Sequence, residues 1–414
     1  MEQKLKIMKI MVFVMAIVLL TALPVNAGNL EPSAPPGPTM KTLDEVEPRI
    51  PISQSDFPLT ITASGSYYLT ENITATGTAI TIDVNDVTID LMGYCLKGPN
   101  TGEHYGVYMD GRSNVEIRNG TIHDFYTAIH EDDYYTGRDH RIISIRVVSN
   151  IQNGIYLRGD NHLVKDCIVS NNGHSASDTV YGIKIDDKGR IIGNITCDNG
   201  TEATIHVAGI GVGYGCIVTG NIVSGNGKKT ASTYGVYASS GSTIADNTVN
   251  KNGEESGLVY GIGTTHGSTV SDNCIFYNGK SATGTVYGLK VGGACNVINN
   301  TIYYNANQAS GEEVCGIKNS MGSSTFTSNI VSANGANSLA SEIYGIEAYL
   351  RSTLIGNTVS DNGSSATSAS VYGIRLSGNS LVDKNSVTNN GSGASSAVNM
   401  NDPGDCTFGT NHAP

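Results

Sequence analysis

The sequence predicts an all-β solenoid of about twelve coils, on three observations. A self-similar unit recurs every 22–29 residues, each unit holds short alternating β runs with no helical periodicity, and Asn and Gly stand in fixed columns within it. Val180 to Gly200, VYGIKIDDKGRIIGNITCDNG, shows one unit: a Tyr-Gly-Ile start, an alternating strand, a second strand opened by an Asn, and a closing Asn-Gly. Each unit would bury its inward Ile, Val and Leu only by stacking on its neighbours.

In chain order, Lys4, Lys6 and Lys9, an apolar run from Ile10 to Leu20 and the small residues Val25-Asn26-Ala27 read as a secretory signal, residues 1–27, cleaved after Ala27. Residues 28–52 carry six of the eleven prolines and form an extended leader. The β pattern starts at Ser53 and fills 53–397; 398–414 is a short polar C-terminal tail with no obvious cap. No later segment is apolar enough to span a membrane. Without Glu2 and the three signal lysines, 36 acidic and 22 basic residues leave a net charge of −14. Phosphate contacts need clustered Lys and Arg, so a general nucleic-acid binder is excluded.

The columns explain the stacking. The residue before the first inward apolar position is Ala79, Gly106, Ala128, Gly154, Gly182, Gly209, Gly235, Gly261, Gly288, Gly316, Gly345 and Gly373. One Asn column runs from Asn172 through Asn199 and Asn226 to Asn390, nearly always followed by Gly, as a left-handed corner requires. A second runs from Asn194 to Asn385. Stacked amides can bond along the axis, so both columns are structural. Tyr105, Tyr181, Tyr234, Tyr260, Tyr287, Tyr344 and Tyr372 make an aromatic column; simple alternation puts each on the side of the inward Ile two residues on, which predicts an internal stack. The eight cysteines fall into such columns too: Cys216 and Cys295 replace a recurrent Ser three coils apart, beyond bridging distance, so free buried thiols are expected.

The entry SGSYYLTENIT, TIDVNDVTIDLMGYCLKG and NVEIRNGTI, with the leader PTMKTLDEVEPRIPI, resembles the secreted right-handed parallel β-helix repeat proteins of the pectate-lyase-like fold, over about Phe57 to Asn390. The resemblance implies a right-handed, single-stranded parallel β-helix and leaves function open, since the fold hosts lyases, hydrolases, epimerases, adhesins and tailspikes. The chain lacks the Asn-Thr-Asp, Gly-His-Gly and Arg-Ile-Lys set of polygalacturonases and the Arg-x-Pro-x-x-Arg of pectate lyases. Asp402-Pro403-Gly404-Asp405 is only faintly similar to the Asp-Pro-His-Asp of alginate epimerases: the His is missing and the stretch lies past the last coil.

Chemistry is expected on the outward positions two and four residues beyond the Gly column. These read Tyr108 and Asp110, His130 and Asp132, Tyr156 and Arg158, Lys184 and Asp186 over four successive coils. Gly211, Gly213, Tyr237, Ser239, Gly263, Thr265, Lys290 and Gly292 follow, a nearly bland continuation. Strand spacing would align Asp132, Arg158 and Asp186, with His130 beside Tyr156 and Lys184, and either Lys97–Tyr105 or His130–Arg141 could wall a groove. Carboxylates beside Arg, Lys or His suit acid/base cleavage of a glycosidic or uronate linkage; carboxylates alone could hold Ca²⁺. The catalytic candidates are therefore Asp132, Arg158, Lys184, Asp186 and His130, and the substrate contacts Tyr108, Asp110 and Tyr156. Equally, opposite charges here would support coil stacking. Two functions follow: a secreted protein that binds or cleaves extracellular polysaccharide, lyase- or hydrolase-like where it cleaves, or a non-catalytic, adhesin-like surface protein contacting glycans or copies of itself.

Overall fold

The computed structural model describes Met8, Lys9, Met11 and residues 47–413 other than Ser177, Ser368 and Asp402. Most of the signal segment and most of the leader thus lie outside the described residues, as does the first residue of Asp402–Asp405. The chain divides into two units, Met1–Pro48 and Arg49–Pro414, and the β architecture belongs to the second. Among the described residues no helix is long and apolar enough to cross a membrane.

Every named strand pairing is parallel, and the chain climbs as a right-handed β-helix. One face, here the front, is a sheet of fourteen strands from Leu59–Ile61 to Ser396–Met400; it contains the twelve expected rungs and one more at each end. The rest of each coil supplies two short strands, such as Arg190–Ile192 and Ile195–Cys197, that close the other sides. Pairing begins before Ser53, at Ile50–Ile52 against Tyr67–Leu69. It continues beyond residue 397, where Ser396–Met400 joins the front sheet and Thr407–Phe408 pairs with Leu381–Val382.

The inward residues Ile155, Ile183, Ile210, Val236 and Ile262 are fully buried, and register aligns them coil on coil. The asparagine columns form continuous amide ladders. Asn172 Nδ2 donates to Asn199 Oδ1 at 2.8 Å, and Asn199 to Asn226 at 2.8 Å. In the second ladder Asn194 donates to Asn221 at 3.0 Å, and the tail's Asn411 is its last acceptor, 3.0 Å from Asn385 Nδ2. Each side-chain oxygen also takes a backbone N–H, as Asn221 Oδ1 does from Asn194 at 2.8 Å. Buried amides are thereby satisfied on both ends, which is the condition for burying them at all. All eight cysteines are free.

The tyrosine column corrects a prediction: it lies on the outer side of the front sheet, not in the interior. The cause is the glycine that follows each tyrosine. A Cβ on Gly182 would come within 3.0 Å of Asn199 Nδ2, and one on Gly154 within 2.4 Å of Val169 Cγ1, so the glycine faces inward. The next residue, Ile183 or Ile155, faces inward too. Two successive inward residues reset the alternation and turn the preceding tyrosine out. There the rings bury one another: Tyr234 stacks on Tyr260 at 4.3 Å, and Tyr344 is 1% exposed against Tyr372.

Candidate functional site on the front face

Register brings Tyr108, His130, Tyr156, Lys184, Gly211, Tyr237, Gly263, Lys290, Lys318, Glu347 and Arg375 into one outward column along the rod. The displaced tyrosines run beside it. Together they make a ribbon with three zones.

The first zone holds the residues singled out from sequence. His130 lies between Tyr108 and Tyr156, ring centroids 6.0 and 5.3 Å away, and over Tyr105 at 4.7 Å. Its Nε2 is 3.6 Å from Asp132 Oδ1, and Arg158 Nη1 approaches the same oxygen at 3.7 Å. Lys184 Nζ pairs with Asp186 Oδ1 at 2.9 Å, and Asp186 Oδ2 accepts from Gly159 N at 3.4 Å. Asp110 stands apart, exposed at the strand end, its carbonyl accepting from Arg112 Nε at 2.9 Å. Burial, outweighing Asp132, lowers the pKa of His130, so the imidazole is neutral near pH 7. The pKa of Arg158 is raised, chiefly by its side-chain hydrogen bond with Tyr156. From the segment after His130, the Tyr134 hydroxyl donates to Asp187 Oδ2 at 3.3 Å.

Behind this zone lies a buried polar cluster that sequence reading missed. Glu131, a residue away from His130 and facing inward, is fully buried. Its carboxylate accepts from Gly111 N at 2.7 Å, Asp133 N at 2.9 Å and His140 Nε2 at 3.1 Å. His140 stacks on His162 at 4.9 Å, and His162 Nε2 donates to the Arg158 carbonyl at 2.8 Å. Glu131 thus fixes the strand ends that carry Asp110 and Asp132. Burial opposes its charge, but these donors prevail and its pKa is lowered.

The middle zone, expected to be bland, holds the concavity. Glycines at 211 and 263 flank Tyr237 in the column. A Cβ at Gly263 would press to 3.0 Å from the Tyr234 ring, and one at Gly211 to 2.9 Å from the Tyr181 ring. One hollow of about 220 Å³ is lined by Tyr234, Tyr237, Tyr260, Gly263, His266 and Lys290. Another of about 280 Å³ is lined by Tyr181, His206, Tyr234 and Tyr237. Lys290 lies 4.9 and 5.4 Å from the Tyr287 and Tyr260 rings and, among the described residues, has no carboxylate partner. Burial and then Lys318 lower its pKa.

The third zone corrects the expectation that ionisable groups end at Asp186. Lys318 Nζ bridges Glu313 at 2.6 Å and Glu347 at 2.7 Å, and Arg375 reaches Glu347 at 3.4 Å. Tyr344 donates to Glu342 at 2.6 Å and Tyr287 to Glu313 at 3.3 Å. Burial alone would lower Lys318, but the two carboxylates raise it. The signal was legible in the same outward positions, two residues beyond Gly316, Gly345 and Gly373. Among the described residues no three His, Cys, Asp or Glu side chains converge as metal ligands.

The stacked parallel rungs define the class: a right-handed parallel β-helix protein. The solved structures it is similar to include the mannuronan C-5 epimerase AlgE4 A-module of Azotobacter vinelandii (15% identity, 87% of this chain and 88% of that one, TM-score 0.41). Others are the periplasmic alginate epimerase AlgG (14%, 87% and 83%, 0.46) and the Dettilon tailspike protein (15%, 87% and 60%, 0.39). No family model matches the chain, nor does any curated protein. This likeness concerns the fold alone, so function is read from this chain's own side chains.

Proposed function

We propose that the protein binds an extended extracellular polysaccharide lengthwise along its front face. The observation that carries this reading is the tyrosine ribbon with two hollows that share Tyr234 and Tyr237, one lined also by Gly263 and Lys290 and the other by Tyr181 and His206. Aromatic rings offer an apolar face for a sugar ring and a hydroxyl at the edge, at little entropic cost. Lys290 adds a cation with no carboxylate partner among the described residues, which favours a chain bearing carboxylates. The positively charged, apolar N-terminus with its small-residue cleavage pattern supports an exported protein.

Bond cleavage in the first zone is a second reading, favoured by one observation: Asp132, Arg158 and Tyr156 surround His130, whose buried Nδ1 has no hydrogen-bond partner and whose pKa burial lowers. A neutral imidazole beside a guanidinium suits proton abstraction from a uronate. The test is purified residues 28–414 against uronate and neutral polysaccharides, with and without Ca²⁺, following binding and cleavage separately. Binding that survives Tyr237→Ala unchanged would sink the first reading; cleavage unaffected by His130→Ala and Asp132→Ala would sink the second.

A further inference from the structure

A second aromatic surface lies off the front face, where each coil turns before its buried Asn. That corner is left-handed in coil after coil, and Asn171, Asp198, Gly225, Lys251, Ala333, Asp361 and Asn389 occupy it. On two successive coils it holds Tyr277 (φ 56°) and Tyr304 (φ 52°). A bulky aromatic is the wrong residue for this backbone, which Asn, Asp or Gly adopts far more readily. Neither ring is needed to fill the interior: they are 38% and 40% exposed. They stack on each other at 5.6 Å, Phe276 and Tyr303 stack beside them at 5.0 Å, and the two pairs meet edge to face at 64–73°, an aromatic plate built of two stacks. At its edge Tyr277, Lys251, Lys280 and Glu254 line a hollow of about 380 Å³. Among the described residues none of these three charged groups has an ion-pair partner, so a hollow with two ammonium groups and one carboxylate stands on a protein of net charge −12.

We infer that this hollow and plate form a second saccharide-binding site, separate from the front face and selective for an acidic sugar unit. The sugar's apolar face lies on Tyr277, its carboxylate meets Lys251 and Lys280, and Glu254 accepts from a hydroxyl. Strained backbone kept at exposed aromatic positions is what a binding surface, not a packing need, accounts for.

The test uses the protein with Tyr237→Ala, titrated calorimetrically with oligogalacturonate and with a neutral cello-oligosaccharide. Residual oligogalacturonate binding should weaken about tenfold in Tyr277→Asn/Tyr304→Asn and again in Lys251→Ala/Lys280→Ala, with the neutral sugar bound less tightly throughout. The melting temperature of the Asn variant should stay level or rise, because Asn suits the corner. Unchanged binding, or a lower melting temperature in that variant, overturns the inference. So does a dimer in light scattering that the same substitutions dissolve, which would make the plate a contact between copies. Failure of the front-face reading is recognised separately, since it leaves Tyr237→Ala without effect while the corner variants still lose binding.

Discussion

Lys290 Nζ lies 4.9 Å from the centre of the Tyr287 ring and, among the described residues, meets no carboxylate, whereas its neighbour Lys318 is held by Glu313 and Glu347. Two lysines in adjacent places of one column thus have opposite assignments. Lys318 braces the sheet, and Lys290 offers its charge to whatever lies in the hollow. Lys290→Ala should weaken a uronate oligosaccharide about tenfold and a neutral one less than about twofold, with the loss shrinking as salt rises. Equal loss for both sugars in titration calorimetry would refute the charge assignment.

Tyr237 stands between two glycines, so its ring is reachable from both sides. Tyr237→Ala should cost about tenfold in polysaccharide affinity with little change in melting temperature. Gly263→Val should do the same by filling the hollow, since a Cβ there already crowds the Tyr234 ring at 3.0 Å. Affinity electrophoresis in polysaccharide gels reads both; normal mobility shifts in the two variants would count against the ribbon.

Acid should unfold the coils around His162. Burial and the nearby His140 push its pKa down to about 4, while the unfolded chain takes up that proton near pH 6.5. The unfolded state therefore binds more protons in between, and stability falls as pH drops from about 6.5 to about 4, by about 3 kcal/mol for this group. Glu131 acts the same way lower down: its pKa is lowered on folding, so its contribution is complete above the ordinary carboxylate value and disappears as pH falls through the folded one. Denaturation followed at several pH values should show a shallower slope between about pH 6.5 and 4 in His162→Gln. An identical slope would mean that His162 is not the group responsible.

The amide ladders predict unequal costs for similar residues. Asn252 Nδ2 donates to Val223 O at 3.1 Å and to Asn278 Oδ1 at 2.9 Å, and its own oxygen accepts from Asn226. Asn252→Ala strands all of these partners in a dry interior and should cost about 2–4 kcal/mol. Asn307→Ala removes a single exposed contact to Asn337 and should cost under about 0.5 kcal/mol. Denaturation midpoints compare them directly.

The solenoid was legible because its cause is periodic: Gly182 and Asn199 recur with the coil, and spacing alone reveals them. The side on which Tyr181 stands was not legible, because alternation is a two-residue rule and Gly182 breaks it by facing inward along with Ile183. Of the site, the stacking of His130 on Tyr156 and the approach of Arg158 to Asp132 followed from register, whereas the same-strand pairs His130–Asp132 and Lys184–Asp186 did not. The hollow at Gly263 did not, since a missing side chain carries no chemical label and gains meaning only between Tyr234 and Tyr237. Glu131 hides within a stretch that reads as a wall, although its place between outward His130 and Asp132 turns it inward.

The distribution of interior polar groups along the axis makes the rod unequal from end to end. Glu131, His140 and His162 occupy the coils nearer the N-terminus, whereas the longer amide ladder starts at Asn150 and the second at Cys167, whose N–H meets Asn194. Acid thus attacks a segment that few ladder rungs reinforce, while the neutral amides of the remaining coils keep their hydrogen bonds as the pH falls. Melting in acid should be vectorial: the early coils open as one cooperative block, and the zippered remainder, with its ribbon and Tyr277 corner, outlasts them.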